Sequence, residues 1–157
     1  MKSIILILLG LILITGCSHN KGLSDKEKTQ AFQNYLTINN IENVSKITTF
    51  TFRGWSSLTN EYLMMSSSHK RHYLIELVGF CSEISWTNTL IINRSTNSSL
   101  YAGFDSVSTP NEPHIRCMIK KIYPITEEQE NEIKNLTKSK EERLKSINNS
   151  EKKSPDL

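Results

Sequence analysis

Apolar positions in this chain change their spacing several times, and each change predicts a new element. The first pattern is an apolar run over residues 4–14, interrupted by Gly10, that begins just after Lys2 and Ser3. At about 1.5 Å per residue, a helix of this length cannot cross a hydrocarbon core of about 30 Å. A charged start, a short apolar run and small residues before a cysteine are typical of an export signal. We therefore predict that residues 1–16 are a removed signal peptide.

Helical spacing begins after a short polar stretch, residues 17–23, which we expect to be a tether. Ser24 and Glu27 have the separation of a capping box. The apolar positions that follow recur at helical spacing and form one stripe: Ala31, Phe32, Tyr35 and Leu36. This pattern predicts a helix that ends near Asn39 and packs on a sheet through Phe32 and Tyr35.

From residue 47 the apolar period becomes two, which indicates strands. We predict strands over residues 47–53, 61–66, 72–80, 89–93, 100–109 (one broken strand or two) and 114–123. A turn or bulge is expected over residues 54–57 and a polar hairpin loop over residues 66–71. Residues 82–88 form either a short helix or an irregular crossing, with Ile84 and Trp86 available to bury. Alternation in the second strand places Tyr62 and Met64 opposite Leu63 and Met65. In the last strand it places Cys117 and Ile119 on one face and Ile122 on the other.

The C-terminal segment returns to a helical pattern. Thr126 and Gln129 form a second capping box. Glu130 with Lys134, and Glu141 with Lys145, are charge pairs four residues apart that support a helix over residues 126–147. Residues 148–157 have the composition of a disordered tail.

Together these elements predict one globular domain over residues 24–125. Its expected class is α+β. A small antiparallel sheet of five to seven short strands, curled into a barrel or sandwich, is flanked by an N-terminal helix and a C-terminal helical tail.

The net charge of the chain bears on two classes of partner. The chain of 157 residues has 19 Lys and Arg against 16 Asp and Glu, a net charge of +3. This excess is too small to indicate a nucleic-acid surface or a polybasic membrane surface.

Ile14-Thr15-Gly16-Cys17 resembles the bacterial lipobox. The resemblance implies acyl chains, such as palmitate, on the Cys17 sulfur and cleavage before Cys17. It also implies lasting attachment to the membrane on the periplasmic side of the cell envelope. The alternative is an ordinary secretory signal that is cut near a cysteine. Ser18 after the cysteine resembles the signal for transfer to the outer membrane.

The two remaining cysteines, Cys81 and Cys117, form an even pair in an oxidising compartment. A bridge between them stabilises the fold by roughly 3–4 kcal/mol in the chain-entropy model. The alternatives are a reactive thiol or a metal site. Neither cysteine belongs to a Cys-x-x-Cys motif, so we predict a structural disulfide.

No motif for catalysis, a metal or a cofactor appears in the sequence. His69 and His72 have the spacing of metal ligands on a helix, but in a strand they point to opposite sides, with Lys70 and Arg71 between them. We therefore expect surface histidines. Asp105 with Glu76 or Glu83 is a hypothetical carboxylate pair for acid–base chemistry, and Asp105 is equally a turn residue. There is no Gly-x-Ser-x-Gly elbow and no glycine-rich phosphate loop.

Six aromatic side chains are candidates for a ligand groove, although a domain this small needs most of its aromatics for the core. They are Phe50, Phe52, Trp55, Tyr62, Trp86 and Tyr101.

Several separated positions resemble one family. They are Phe52-x-x-Trp55, Leu63, Tyr73-Leu74-Ile75-x-Leu77, Cys81, Ile84, Asp105-x-Val107 and Arg116-Cys117-x-Ile119-x-x-Ile122-x-Pro124. This order is similar to DUF6491, a family of small uncharacterised proteobacterial lipoproteins, over roughly residues 44–125. The resemblance implies the cysteine cross-link and a single small domain, and it implies no activity.

The sequence thus favours a lipid-anchored, non-catalytic envelope protein that binds or supports another envelope component, with an envelope protein as an expected partner. The alternatives are an envelope hydrolase or a small-ligand carrier whose site is formed by distant residues.

Overall fold

A computed structural model describes residues 22–138 of the chain. The predicted signal peptide, Cys17 and most of the tether lie outside these residues, as do the Glu141–Lys145 pair and the predicted tail over residues 148–157.

The first helix, α1 (Asp25–Ile38), begins where the sequence predicts. The Ser24 side chain accepts a hydrogen bond from the Glu27 N–H, and the Glu27 carboxylate accepts one from the Ser24 N–H. These reciprocal bonds satisfy two backbone donors that a helix start leaves free. Phe32 is completely buried and Tyr35 packs at the edge of the same cluster, which confirms the predicted apolar stripe.

The second helix, α2 (Glu127–Leu136), also starts at its predicted capping box, with Thr126 and Gln129 bonded reciprocally. Lys134 contacts Glu130 one turn earlier, as the spacing predicts. The helix ends at Leu136 with Thr137 as its C-cap. The remainder of the predicted helix, residues 139–147, lies outside the described residues.

Eight strands and one short 3₁₀ helix (Ser82–Trp86) complete the described part of the chain. The strands are β1 (Lys46–Thr48), β2 (Gly54–Ser57), β3 (Tyr62–Ser68), β4 (Arg71–Leu77), β5 (Ile91–Asn93), β6 (Ser99–Tyr101), β7 (Ser106–Ser108) and β8 (Cys117–Ile125).

All strand pairs are antiparallel. Six strands form a curled sheet in the order β2-β3-β4-β8-β7-β5, and β1 pairs with β6 in a separate two-stranded sheet. The predicted α+β class, with an antiparallel sheet flanked by two helices, is therefore confirmed.

The extra strand relative to the prediction is β2, where a turn or bulge was expected, so that expectation is wrong. Gly54–Ser57 pairs with Leu63–Ser66 across a complete antiparallel register. β2 is an edge strand with little apolar content, and for this reason its hydrophobic pattern is weak. The predicted first strand is correspondingly shorter, because only Lys46–Thr48 pairs and residues 50–53 lead into β2.

Two predicted strands have different bounds in the structure: residues 72–80 correspond to β4 (Arg71–Leu77), and residues 114–123 correspond to β8 (Cys117–Ile125). β4 stops at Leu77 because a turn follows, with Gly79 at a positive φ of 72°. The loop expected over residues 66–71 is in fact a turn of two residues, His69 and Lys70, between longer strands.

The sheet separates two apolar cores. One face carries the larger core, which includes Leu63, Met65, Ile75, Ile119 and Ile122. The other face packs against α1 and α2 and forms the second core. The sheet contributes Tyr62, Met64, Leu74, Tyr123 and Ile125 to this core, and the helices contribute Phe32, Leu36 and Ile133. The predicted alternation along β3 is therefore confirmed, since Tyr62 and Met64 face the helices and Leu63 and Met65 face away.

A β-bulge in β8 overturns the alternation predicted for that strand. Glu76 pairs with Lys121 while the next residue of β4, Leu77, pairs with Ile119, so Lys120 has no partner of its own. An extra residue shifts the side-chain alternation by one position. Ile119 and Ile122 consequently share the larger core, although an uninterrupted strand would place them on opposite faces.

Residues 82–88 contain the short helix that the sequence left open. Ile84 is buried, as expected. Trp86, at the end of this helix, is 85 % exposed. The expectation that Trp86 enters the core is wrong, because the helix ends there and the chain continues in extended conformation at Thr87.

Candidate functional site

A groove of about 610 Å³ lies between α1 and the β4–β8 strand pair. Its helix side is lined by Gln33, Leu36 and Thr37. The turn after α1 adds Ile41, Glu42 and Asn43, and the sheet adds Glu76, Lys120, Lys121 and Tyr123. Most of these side chains carry hydrogen-bonding groups, so the groove suits a polar ligand better than an apolar one.

Glu76 is the central charged residue of the groove. It is only 6 % exposed, on a strand whose other residues are largely apolar. Lys120 Nζ donates a hydrogen bond to Glu76 Oε1 at 2.6 Å, and the Tyr123 hydroxyl donates to Oε2 at 3.2 Å. Both carboxylate oxygens therefore have a partner, as a buried carboxylate requires.

The β8 bulge is what supplies the cation to this site. Lys120 is the extra residue of the bulge, and its side chain is 52 % exposed while its ammonium reaches Glu76. Bulges commonly re-aim a side chain in this way. The Glu76–Lys120 pair is thus half in solvent and half in the sheet, directly at the groove wall.

Two tyrosines and one lysine at the groove have raised pKa values. Burial raises the pKa of Tyr123 to about 12, and the negative charge of Glu76 and its hydrogen bond act in the same direction. Burial and then the Glu76 charge also raise the pKa of the neighbouring Tyr62. The hydrogen bond to Glu76 raises the pKa of Lys120. Near pH 7 both phenols therefore stay neutral and Lys120 stays charged.

A second polar cluster joins α2 to the sheet. His72 Nδ1 contacts the Glu130 carboxylate, which Lys134 also contacts. The other ring nitrogen of His72, Nε2, lies 2.9 Å from the His69 carbonyl oxygen. The His72 side chain is only 13 % exposed, so the expectation of a surface histidine is wrong for His72, although His69 is exposed. This cluster holds α2 in place.

The hypothetical carboxylate pairs are not formed, because the three acids occupy different places. Glu76 lines the groove beneath α1, and Glu83 lines a 160 Å³ cavity beside the cysteines. Asp105 is 2 % exposed and accepts hydrogen bonds from the backbone N–H groups of Ser95 and Tyr101 at 2.8 and 2.7 Å. Asp105 therefore organises a turn, which was the alternative that the sequence offered.

The Cys81 and Cys117 sulfurs lie at disulfide distance, 2.19 Å apart. Cys81 follows the turn after β4, and Cys117 begins β8. Both residues are buried. Their positions link the end of the central strand pair to the loop that precedes β8.

Comparison with known proteins places the chain in a family. The family of unknown function DUF6491 matches residues 1–143. The chain belongs to this family. No curated protein and no solved structure matched the chain.

The six aromatics of the DUF6491 chain do not form a common ligand groove, so that hypothesis is wrong. Tyr62 belongs to the core beneath the helices, whereas Phe52 and Trp55 pack against the core on the other face of the sheet. Tyr62 meets Phe32 edge to face, with ring centroids 5.4 Å apart. Phe50 and Trp86 are exposed.

Two further observations delimit the site of this DUF6491 protein. Over residues 22–138, no three His, Cys, Asp or Glu side chains come together as a metal site would require. In the same range, no helix combines the length and apolar content needed to cross a membrane.

Sequence reasoning missed the groove in the DUF6491 chain, although one signal for it was present. Glu76 interrupts an otherwise apolar strand, Tyr73–Leu77, at a position that the strand buries. Buried carboxylates are rare unless they are paired, so this position alone asks for a partner. That partner, Lys120, lies 44 residues further along the chain, and its contact with Glu76 depends on the bulge.

Proposed function

We propose that this DUF6491 protein is a lipid-anchored envelope protein that binds a polar envelope component in the groove beneath α1 and does not catalyse a reaction. The anchor is the lipid on Cys17, and the domain faces the periplasm, with Ser18 favouring the outer membrane. The groove between α1 and the β4–β8 pair is the binding site.

Anchoring is supported by the lipobox-like residues 14–17, which fall inside the family match over residues 1–143. Two or three acyl chains on one residue give lasting attachment, at about 0.8 kcal/mol for each buried methylene.

The test of anchoring is fractionation of cells that express the Cys17→Ser variant, with intact-mass measurement of the native protein. Wild type is expected in the membrane fraction with acyl chains on a chain that begins at Cys17. The variant is expected to lose both features. A membrane-bound Cys17→Ser variant, or a native chain that begins at Met1 without a lipid, would refute the anchor.

The observation that carries the binding proposal is the ion pair at the groove wall between the buried Glu76 and the half-exposed Lys120. An apolar pair of similar size would stabilise such a sheet as well as an ion pair or better, because burying charge costs solvation energy. The fold therefore gains little stability from charge at this position. Fixed charges and hydroxyls beside an open groove have the arrangement of a pre-organised recognition surface.

The pKa directions favour binding over acid–base catalysis. A general acid or base works best with a pKa near the working pH. The pKa values of Tyr123 and Lys120 are both raised and so lie further from pH 7 than the ordinary values of these groups. The groove thus presents steady donors and acceptors to a ligand.

The groove chemistry indicates a ligand with hydroxyl, amide and carboxylate groups. Lys120 and Lys121 offer positive charge, Glu42 offers negative charge, and Gln33 and Asn43 offer amides. In the periplasm, peptidoglycan fragments combine all three groups, so soluble fragments are the first probe.

The experiment measures binding of peptidoglycan fragments to the full mature protein by calorimetry. Lys121→Gln is expected to weaken binding about tenfold, the typical effect of losing one charged hydrogen bond. Lys46→Gln is the matched control, because Lys46 is exposed on β1 and does not line the groove. Equal affinity of both variants and wild type would show that the fragments do not use the groove.

A photo-crosslinking residue in living cells tests the site without assuming the ligand. Placed at Thr37, which lines the groove, it is expected to give a specific adduct, and placed at Asn111, in an exposed loop, it is not. Identical adducts at both positions, or no adduct at Thr37, would contradict the proposal.

A further inference from the structure

Four large apolar residues that lie within five positions of Cys81 or Cys117 in the sequence have exposed side chains. Val78, Phe80, Trp86 and Ile115 are 56 %, 70 %, 85 % and 56 % exposed. Phe80 and Ile115 line one cavity together with Cys81 and Cys117. We call these four residues the apolar end of the domain.

The apolar end consists of segments that leave the core. The turn at Gly79 follows β4 and precedes Phe80, and Trp86 is the last residue of the 3₁₀ helix. The cavity beside Phe80 is lined by residues of this helix, Glu83 and Ile84. Grouped exposed apolar side chains favour contact with a partner or a membrane.

The chain enters the domain at this same end. Asp25, the first residue of α1, accepts a hydrogen bond on its carboxylate from the Asn60 side chain at 2.8 Å. The Asn60 carbonyl oxygen accepts a bond from the Cys81 N–H at 2.9 Å, and its side-chain oxygen accepts one from the Ser85 hydroxyl at 2.8 Å. One asparagine therefore connects the start of α1 to the residues that adjoin Phe80 and Trp86.

Tether length limits how far this end can lie from the anchor. Residues 18–23 separate Cys17 from Ser24. A fully extended chain of this length spans about 25 Å at most. If Cys17 carries lipid in the membrane, as the proposed function holds, the start of α1 stays within that distance of the bilayer.

The geometry points to the bilayer as the occupant of the apolar end. We infer that Val78, Phe80, Trp86 and Ile115 insert into the membrane interface and orient the domain, an inference that rests on the proposed lipid at Cys17. Tryptophan prefers this interface because its ring is apolar and its N–H can still contact water or headgroups. A tethered surface meets the bilayer at high effective concentration, so weak insertion is sufficient.

The charges beside the apolar end define which lipids suit it. Glu83 and Glu112 line the cavity next to Phe80, and the exposed Arg116 directly follows Ile115, so the charges beside the apolar end are of both signs and do not select negative headgroups. Insertion should therefore occur in zwitterionic bilayers and should depend little on salt, since apolar burial drives it.

The experiment uses the lipidated full chain in phosphatidylcholine vesicles whose acyl chains carry bromine near the interface, which quenches tryptophan at short range. The chain has two tryptophans. The Trp55→Phe variant reports Trp86 alone, and the Trp86→Phe variant reports Trp55 on β2. A third variant, Phe50→Trp with both native tryptophans changed to Phe, is the matched control. Phe50 is 75 % exposed and lies three residues before Arg53, whose side chain contacts His69 in the turn at the far end of β3 and β4.

The expected result is at least twofold stronger quenching of Trp86 than of the Phe50→Trp probe, with a blue shift of Trp86 emission on reconstitution. Changing Phe80 and Ile115 to Ser should reduce the Trp86 quenching while leaving the melting temperature unchanged, because both side chains are exposed.

Three outcomes would overturn the inference. Equal quenching of Trp86 and of the Phe50→Trp probe, in protein that is lipidated and floats with vesicles, refutes the insertion of the apolar end but not the anchor. A blue shift of Trp86 that depends on protein concentration, without quenching, assigns the apolar end to a second copy of the chain. A protein without lipid by intact mass refutes the anchor and, with it, the inference.

Discussion

Replacing Lys120 with Met removes the cation of the groove and keeps an unbranched side chain of similar length. Glu76, which is 6 % exposed in the wild type, then keeps Tyr123 as its remaining hydrogen-bond donor. Removing one partner of a fully buried ion pair costs about 3–5 kcal/mol, whereas exposed pairs contribute about 0–1 kcal/mol. Because the Lys120 side chain is 52 % exposed, water from the groove replaces part of the lost interaction. We expect the free energy of unfolding to fall by about 1–2 kcal/mol.

That loss corresponds to a melting temperature about 3–8 °C below wild type for a domain of this size. Thermal unfolding followed by circular dichroism measures it. Lys121→Met is the matched control, because Lys121 is the next residue of β8 and has no ion pair within residues 22–138. Adding Glu76→Leu to Lys120→Met should restore most of the stability, since no buried charge is then left unpaired.

The stability difference between wild type and Lys120→Met should also depend on pH in a defined direction. Contact with Glu76 raises the pKa of Lys120 above its ordinary value of 10.5. A raised lysine pKa contributes stability that is complete below the ordinary value and is lost as the pH rises through the folded value. The difference between wild type and Lys120→Met should therefore be constant from about pH 6 to 9 and shrink above about pH 10.5. Equal melting temperatures of the Lys120→Met and Lys121→Met variants at neutral pH would refute the reasoning.

Three further predictions concern the cores and the cross-link. Thiol labelling of the unreduced, denatured protein should modify neither Cys81 nor Cys117, and labelling of both would show that they are free thiols. Reduction should lower the free energy of unfolding, measured by urea titration, by roughly 3–4 kcal/mol. Phe32→Ala should cost about 3–5 kcal/mol, whereas Ile38→Ala, at a position 78 % exposed, should change stability by less than about 0.5 kcal/mol. Similar urea midpoints for the two variants would contradict the packing of α1. The pKa of Tyr123 is raised from 10.0 to about 12. The neutral Tyr123 therefore contributes to the free energy of unfolding in full below pH 10, and this contribution is lost towards pH 12. Melting temperatures should thus fall more steeply over that range in wild type than in Tyr123→Phe, and parallel curves would exclude this linkage.

Local signals in the sequence predicted local structure well. Both capping boxes form, because a cap depends on residues only three positions apart. The alternation along β3 is also correct, since the period of two is not interrupted between Tyr62 and Met65.

Errors arose where distant partners decide the structure. β2 is a strand because β3 pairs with it, not because its four residues have strong strand preference. The bulge at Lys120 depends on the register between β4 and β8, which no local pattern encodes. The site followed the same rule, because Glu76 and Lys120 meet across 44 residues of sequence.

Because β4 and β8 carry core residues on both faces, the two walls of the groove differ in their freedom to change. Tyr123 lies between Ile122, which enters one core, and Ile125, which enters the other, so a substitution on the sheet wall disturbs packing on either side. Gln33, Thr37, Glu42 and Asn43 on the opposite wall are exposed and outside both cores. The helical wall can therefore accept substitutions while the strands stay constant, which makes those four positions the place to change the preference of the proposed binding site.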